Sequence, residues 1–561
     1  MNKKWKCYEE NNELAEKIES RFSVSKLLSK ILVNKGLVEE EKIKVFLNPT
    51  RSDFHDPYLM PDMSIAVDRI SKAIEEKEKI IIYGDYDVDG ITSITVLKKF
   101  LQDRGVDVDC YIPNRLEEGY GLNKNAINKI FENGYNLMIT VDCGISGIEE
   151  IDYANSLGLE IIVTDHHEPG EVLPKALAIV DAKRKDNKYP FNQLAGVGVV
   201  FKVIQALGIK YGLDEKEYLK YLDLVCVGTI SDIVPLVDEN RVIAKLGLKL
   251  VEMTQNIGLK TLLKDVGYKK VDSTTVSFGI APRINACGRM GHEQEALQLF
   301  LTDNILEAQK ISEKLNEYNR ARQETEKKIF EQALQIVEKE EKNKPCIILG
   351  NDEWHHGVIG IVASKVTEMY FKPSILICFE GEDGKGSGRS IPGFDLHDAL
   401  SKCGEYIDKF GGHSMAVGIS VKKEDFENFK NEFQKYTAST DIQSILPIVN
   451  IDEEITLKDF NLSAVNDLKY LEPFGEGNKM PIFMYKNLKI NSIRALSEGK
   501  HLKLTLKDDN FIMEAIGFNL GHFSTEYKIG DKIDVAGSLE INSFNSRETV
   551  QINLKDIRKS Y

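Results

Sequence analysis

The sequence is short of the features that would place it in a specialised class. Its 561 residues include two tryptophans, 15 prolines and eight cysteines. The cysteines are Cys7, Cys110, Cys143, Cys226, Cys287, Cys346, Cys378 and Cys403, and no two lie closer than 25 residues. That spacing excludes a Cys-x-x-Cys zinc signature and a dense disulfide framework, and it points to a reducing cytoplasm. No apolar run approaches the length of a membrane span, and the charged N-terminal stretch lacks the apolar centre of a signal peptide, so no membrane role is expected. Positive charge is also scarce, since 73 Lys and Arg against 88 Asp and Glu leave a net −15. Bulk charge therefore cannot hold a nucleic acid, and a polyanion would need a local basic groove or bound metal.

What is present is globular: 42% apolar and 29% charged residues. At roughly 150 residues per domain the length predicts three or four domains. Residues 1–75 read as an amphipathic helical lead-in without chemistry of their own. From residue 76 to 304 short apolar runs alternate with helical periodicity, which indicates an α/β domain around a parallel sheet. Residues 305–342 lack Pro and Gly and carry apolar residues at helical spacing, predicting one helix of about 57 Å that bridges two lobes. A second α/β segment covers 343–440, with glycine-rich stretches at Gly381–Gly388 and Phe410–His413 expected as loops. From 446 to 561 alternating runs such as Leu502-Lys-Leu-Thr-Leu-Lys indicate a small antiparallel β-barrel or sandwich.

The chemistry lies where three apolar runs end. Ile80–Tyr83 leads into Gly84-Asp85-Tyr86-Asp87-Val88-Asp89-Gly90, Leu137–Val141 into Asp142-Cys143-Gly144, and Ile161–Thr164 into Asp165-His166-His167. Ligands of open α/β sheets bind at that edge. A calcium loop of the EF-hand type is excluded, because a strand precedes the first cluster and Val96 stands where a bidentate Glu is required. Carboxylates with one or two imidazoles form a hard ligand set suited to Mn²⁺ or Mg²⁺, and two such ions suit phosphoryl chemistry. Asp232, after an apolar stretch, reads equally well as a helix cap or a ligand. Arg283 and Arg289 flank Asn285 in a polar segment, and a guanidinium binds phosphate bidentately. Tyr120, between two glycines, would stack on a base or cover a turn.

With GDYDVDG at 84–90, VDCG at 141–144, DHH at 165–167, SDIVPL at 231–236, FGIAPRINACGRMG at 278–291, WHHGVIGIVAS at 354–364 and GGH at 411–413, the chain resembles the DHH phosphoesterase superfamily and, within it, the RecJ family of single-strand-specific exonucleases. The resemblance implies an α/β fold: a parallel-sheet DHH domain, a long helix, an α/β DHHA1 domain, then an OB-type β-barrel. It implies two divalent cations, Mn²⁺ or Mg²⁺, with Asp87, Asp89, Asp142, His166 and Asp232 as ligands and Asp142 as the bridge. Asp85 and His167 would be further ligands or orient phosphate and water. Arg283, Asn285 and Arg289 would face the scissile phosphate, and His413 would join the active-site face of the DHHA1 domain. Arg115, Ser387 and Arg389 would hold a 5′ end. Phosphatase branches carry a His four residues before the first metal Asp. Here Tyr83 stands there and an extra Asp85 appears, the RecJ-like form.

The implied reaction is 5′-to-3′ hydrolysis of single-stranded DNA to 5′-mononucleotides, in DNA repair and recombination. The implied partners, beyond single-stranded DNA, are a single-stranded-DNA-binding protein and a repair helicase. Two rivals stay open: a phosphodiesterase for very short or cyclic oligonucleotides, and a scaffold without activity. The barrel would guide a strand or dock a protein.

Overall fold

A computed structural model describes residues 3–115, 118–268, 270–459, 462–508, 511–544 and 547–560. The chain opens with a strand, β1 (Lys4–Cys7), and three helices, α1 (Asn12–Phe22), α2 (Lys26–Asn34) and α3 (Glu40–Leu47). The Asn11 and Ser25 side chains cap the first two by accepting from Leu14 N and Leu28 N. Next come α4 (Met63–Glu75), β2 (Ile80–Gly84), α5 (Val88–Gln102), β3 (Val108–Tyr111), α6 (Lys124–Glu132), β4 (Leu137–Val141), α7 (Ile148–Leu157), β5 (Glu160–Thr164) and β6 (Ala178–Val180). The five strands β2–β6 form a parallel sheet in the order β3-β2-β4-β5-β6. Every residue of β2 and β4 is buried, because helices cover both faces and leave no position for a polar side chain.

Register decides what happens at the sheet edge. Gly84 of β2 lies beside Val141 of β4, and Val141 beside Thr164 of β5. The residues that follow, Asp85, Asp142 and Asp165, therefore leave the sheet side by side. β2 and β4 are also the strands between which the chain order reverses, where a crevice opens.

Seven helices follow: α8 (Gly196–Lys210), α9 (Lys216–Leu219), α10 (Leu222–Ser231), α11 (Asp238–Glu252), α12 (Ile257–Val266), α13 (Ala281–Arg289) and α14 (Glu293–Leu301). Then comes α15 (Ile305–Ile336), 32 residues or about 48 Å. It is shorter than expected because Val337–Glu341 is a π-turn. Ala308, Ile311 and Leu315 bury in the core of the first lobe, and Ile329 and Ala333 in that of the second, so the helix spans both.

The second lobe holds β7 (Ile347–Asn351), α16 (His356–Tyr370), β8 (Ser374–Glu380), β9 (Asp383–Arg389), α17 (Leu396–Ser401), β10 (Lys409–His413), β11 (Ala416–Lys422) and α18 (Phe426–Ala438). Its sheet runs β10-β11-β9-β8-β7, with only β7 and β8 parallel. Both glycine-rich stretches expected as loops are strands. On β9 a Cβ at Gly386 would stand 2.6 Å from Ile419 Cγ2 and 2.7 Å from Ile377 Cγ1. The glycines make room for the large residues of the two neighbouring strands, a use of Gly inside a sheet that composition reads as a turn.

The last part comprises β12 (Ile448–Ile451), β13 (Glu453–Glu454), α19 (Leu462–Leu468), β14 (Phe483–Leu496), β15 (His501–Asp508), β16 (Phe511–Gly517), α20 (Phe523–Glu526), β17 (Lys532–Phe544) and β18 (Arg547–Lys559). Strands β14-β15-β16-β18-β17 close on β14 as a five-stranded barrel. It is not wholly antiparallel, since β16 and β18 run parallel. The N-terminal segment, expected as a lead-in, is joined to this barrel. β1 pairs in parallel with β12, and Leu28, Ile31, Leu32, Ile43 and Phe46 share one core with Phe483, Tyr485 and Leu504. From the same stretch α4, with Phe54 and Tyr58 before it, packs instead into the core of the parallel-sheet lobe. No helix among the described residues is long and apolar enough to cross a membrane.

Candidate metal centre

Seven side chains meet at the edge of β2, β4 and β5. Their donor atoms form three groups, each within 4.8 Å: Asp85, Asp87 and Asp142; Asp89, His166 and Asp232; and Asp142, His166 and His167. Asp142 and His166 each belong to two groups. Main-chain geometry fixes several of these residues. Asp87 caps α5, accepting from Asp89 N at 2.9 Å and Gly90 N at 3.1 Å. Asp89, two residues on, accepts from Gly196 N at 2.6 Å and Val197 N at 2.8 Å, so the N-terminus of α8 holds its charge. A Cβ at Gly196 would stand 2.7 Å from Asp142 Oδ1, and only glycine lets that helix come so close. Asp142 itself is left-handed, with φ 59, a strained state for a non-glycine residue that marks a functional turn.

The electrostatics are those of a site built for cations. Asp142 is 3% exposed, and burial, then the charges of Asp89, Asp87, Asp85 and Asp232, push its carboxyl well above the usual range. Burial and Asp87 push Asp89 up to about 7. Burial, with Asp89 and Asp87, pushes Asp232 up to about 9. Asp232 caps the C-terminus of α10, the end of a helix that repels an anion. His166 is pushed down to about 3 by burial and by His167, which keeps it a neutral ligand. Its Nε2 lies 3.1 Å from Asp142 Oδ1, 3.8 Å from Asp89 Oδ2 and 3.7 Å from Asp232 Oδ2. Asp85 Oδ1, Asp142 Oδ1 and His166 Nε2 are all buried without a hydrogen-bond partner. Buried lone pairs left open at the meeting point of five carboxylates fit divalent cations and fit little else.

Asp165, which sequence reasoning quoted but gave no role, is the support of this edge. It is fully buried and accepts from Ile145 N, His166 N, His167 N and His167 Nδ1, the last at 2.7 Å. Burial alone would raise its pKa, but the His167 hydrogen bond and charge hold it below the ordinary value. The same contact raises His167 against its burial. An aspartate immediately after a strand, followed by two histidines, was the available signal: such a group orients metal-binding imidazoles. Tyr120 closes the side, with its hydroxyl 3.3 Å from Asp142 O and 3.2 Å from His167 Nδ1.

A second cluster, cationic, borders the first. Burial and the neighbouring guanidinium groups of Arg115, Arg322 and Arg389 push Arg289 down to about 10, with Asp87 acting in the opposite direction. Arg289 Nη1 donates to Gly357 O at 3.0 Å, where α13 meets α16 of the second lobe. Arg115 lies over the Tyr86 ring at 4.8 Å, and Arg389 donates to Ser387 Oγ at 2.9 Å. Arg322 on α15, which sequence reasoning missed, is engaged by Glu326 and Asn319.

Of three further expected residues, Asn285 adjoins the metal ligands and two stand apart from them. Arg283 donates to Asn316 Oδ1 at 2.7 Å and Gly279 O at 2.6 Å, and lines a 740 Å³ cleft beside α12 and α15. It faces the connecting helix because its position on α13 is turned from that of Arg289. Asn285 accepts from Val88 N at 3.3 Å and so braces the first turn of α5. His413 is exposed on the edge strand β10. It is in register with Ala416, and Ala416 with Arg389, which puts it two strands, or about 9.5 Å, from Arg389, on the cationic side rather than among the carboxylates.

Three family models match in order: the DHH family N-terminal domain over residues 79–229, the DHHA1 domain over 343–439 and the RecJ OB domain over 451–556. The single-stranded-DNA-specific exonuclease RecJ of Bacillus subtilis is 37% identical over 99% of this chain and 70% of its own length. Its namesake from Thermus thermophilus is 34% identical over 87% of the chain and 70% of its own length. The crystal structure of RecJ from Thermus thermophilus in complex with Mn²⁺ superposes with a TM-score of 0.88 at 29% identity, covering 100% of this chain and 80% of that one. The corresponding Mg²⁺ complex gives 0.80 at 27%, covering 100% and 79%.

Proposed function

The chain belongs to the RecJ family of single-stranded-DNA-specific exonucleases, and from that premise we propose that its acidic sheet edge is a two-cation centre that removes mononucleotides from the 5′ end of single-stranded DNA. It is a hydrolase of phosphodiesters, and its cofactors are divalent cations, Mn²⁺ or Mg²⁺. The observation that carries the two-cation reading is that Asp142 and His166, whose Oδ1 and Nε2 are buried without a hydrogen-bond partner, each belong to two neighbouring ligand groups. Asp85, Asp87 and Asp142 would hold one ion, and Asp89, His166 and Asp232 the other, with Asp142 between them. Such ions supply charge neutralisation at the attacked phosphate and lower the pKa of a water.

The chain's own groups do the rest. Asp165 fixes His167 through Nδ1 and aims its ring toward Asp142. Arg289, bordering both Asp87 and the second lobe, faces the phosphate being cut. Arg115, Ser387 and Arg389 receive the terminal 5′ phosphate, since half-buried guanidinium groups set against the Tyr86 ring and the Ser387 hydroxyl suit a dianion. Arg289, which neighbours Arg115 and Arg389 on one side and Asp87 on the other, joins the end pocket to the metal centre, and this supports cutting close to the end. A single-stranded-DNA-binding protein and a repair helicase are proposed as partners, and a cytoplasmic location is proposed from eight unpaired cysteines.

Strands labelled at the 5′ or the 3′ end test this. With Mn²⁺, the 5′ label should appear at once as a mononucleotide while the 3′ label stays on long products; the opposite order would overturn the direction. Arg389→Ala should impair a 5′-phosphorylated strand at least tenfold more than a 5′-hydroxyl strand. Equal losses on both would remove Arg389 from the end pocket.

A further inference from the structure

Asp232 differs from Asp87 and Asp89 in how it is held. Asp87 and Asp89 accept main-chain hydrogen bonds, whereas none is found to the Asp232 carboxylate among the described residues. Its position therefore depends on the course of the chain around it. That course is strained: Ile233, the next residue, has φ 61 with its side chain 70% exposed. A β-branched residue stays in that state only where its surroundings over-determine it.

The surroundings come from Asn240, five residues past Pro235, and from a distant part of the chain. Asn240, fully buried, donates through Nδ2 to Pro235 O at 3.0 Å and to Gln193 O at 2.6 Å. The other support is a turn that leads into the barrel domain. Leu236 N donates to Glu476 O at 2.7 Å. A Cβ on Gly475 would stand 2.6 Å from Leu236 Cδ1, and one on Gly477 2.8 Å from Pro235 Cβ. The turn is rigid in itself, because Gly475 and Asn478 exchange main-chain hydrogen bonds and the buried Asn478 donates through Nδ2 to Leu471 O and Pro473 O, each at 2.8 Å. Ser273 adds a hydrogen bond to Phe474 O at 2.6 Å.

We propose that the turn Gly475–Asn478 is a positioning element for Asp232, so that the C-terminal domain completes the metal centre as well as attending to the strand. The inference rests on the two-cation reading above. Asp232 lies four residues before the contact, and the strained Ile233 lies between. A shift of the turn would move the Val234–Val237 segment, let Ile233 relax and withdraw Asp232 from Asp89 and His166. The other group, Asp85, Asp87 and Asp142, is placed by the ends of β2 and β4 and the start of α5 and would keep its ion.

The test is Gly475→Ala in the full-length chain, since the added methyl meets the buried Leu236. Gly475→Ala/Leu236→Ala removes the clash and serves as the rescue. Mn²⁺ binding is measured by calorimetry without DNA, beside kcat and KM as functions of Mn²⁺. The wild type is expected to bind two ions. Gly475→Ala should bind one as the wild type does and the other at least about tenfold more weakly, with kcat recovering at raised Mn²⁺, KM for the strand unchanged and the double variant restored. Unchanged affinity for both ions in Gly475→Ala would overturn the proposal. So would a raised KM with Mn²⁺ binding intact, which would assign the turn to the substrate. If Gly475→Ala loses its folded far-UV spectrum, Asn478→Ser, which removes only the Nδ2 hydrogen bonds, is judged by the same two criteria. A wild type that binds fewer than two ions would sink the two-cation reading itself, and this inference with it.

Discussion

Asp142 concentrates the physical conflict of the protein in one side chain. It is buried, left-handed in its backbone and surrounded by four other carboxylates. Asn tolerates the left-handed region and keeps the shape while removing the charge, so Asp142→Asn isolates the electrostatic role. We expect kcat with Mn²⁺ to fall by on the order of 10³-fold, the loss of several kcal/mol of charge stabilisation, while the melting temperature in chelator stays level or rises because repulsion is relieved. Near-normal turnover would remove Asp142 from the centre. The same conflict gives the ion-free chain a pH dependence of definite sign. Asp89 is raised to about 7 and Asp232 to about 9, so the folded chain keeps protons that the unfolded chain releases near pH 4. Stability in chelator is therefore greatest in acid and falls as pH rises from about 4 through 7 toward 9. Saturating Mn²⁺ replaces those protons and should flatten or reverse the slope. Melting curves at pH 5.5 and 8, with chelator and with Mn²⁺, check both signs.

At the scale of the element, α8 does more than cover the sheet. Its first two N–H groups hold Asp89, and Gly196 lets it do so against Asp142. In Gly196→Ala the new methyl would displace either the helix or the Asp142 carboxylate. We expect a loss of about 1–3 kcal/mol, as in overpacked cores, and a larger proportional loss of Mn²⁺ affinity than a cavity variant of equal stability elsewhere on α8, such as Val203→Ala. Equal Mn²⁺ affinity in the two variants would mean that α8 only fills space. The second sheet teaches the same point about glycine. On β9 glycines make room for large neighbours and the strand survives, whereas turn chemistry read from composition predicts a loop.

At the scale of the whole molecule, a buried arginine joins distant segments. Arg241 on α11 is 1% exposed and donates to Phe46 O, Leu471 O, Tyr470 O and Glu472 O at 2.7 to 3.1 Å. Burial alone, with no acidic partner, pushes it down to about 9. One side chain thus ties the N-terminal helices and the approach to the barrel to the first lobe. Arg241→Ala would take a donor from four carbonyls, of which Leu471 O and Tyr470 O keep a second from Asn478 and Lys245, and would open a cavity, a cost of about 3 kcal/mol or more. A single cooperative melt in the wild type that becomes biphasic in the variant would show the barrel separating first; an unchanged melt would deny Arg241 this role.

The acidic clusters, their place after three apolar strands and their preference for hard cations could be read from residue order alone, because strand periodicity and register are local and Asp85, Asp142 and Asp165 directly follow paired strands. The order of the domains was legible for a similar reason, since each buries a core with its own periodicity. Tertiary packing decided the rest. Arg283 and Arg289 sit six residues apart on one helix, yet one faces α15 and the other the second lobe, an outcome set by which neighbour covers each side. The union of the first helices with the barrel, and the grip of Gly475–Asn478 on the chain beyond Asp232, join residues hundreds of positions apart, and no local pattern records which distant surfaces will meet.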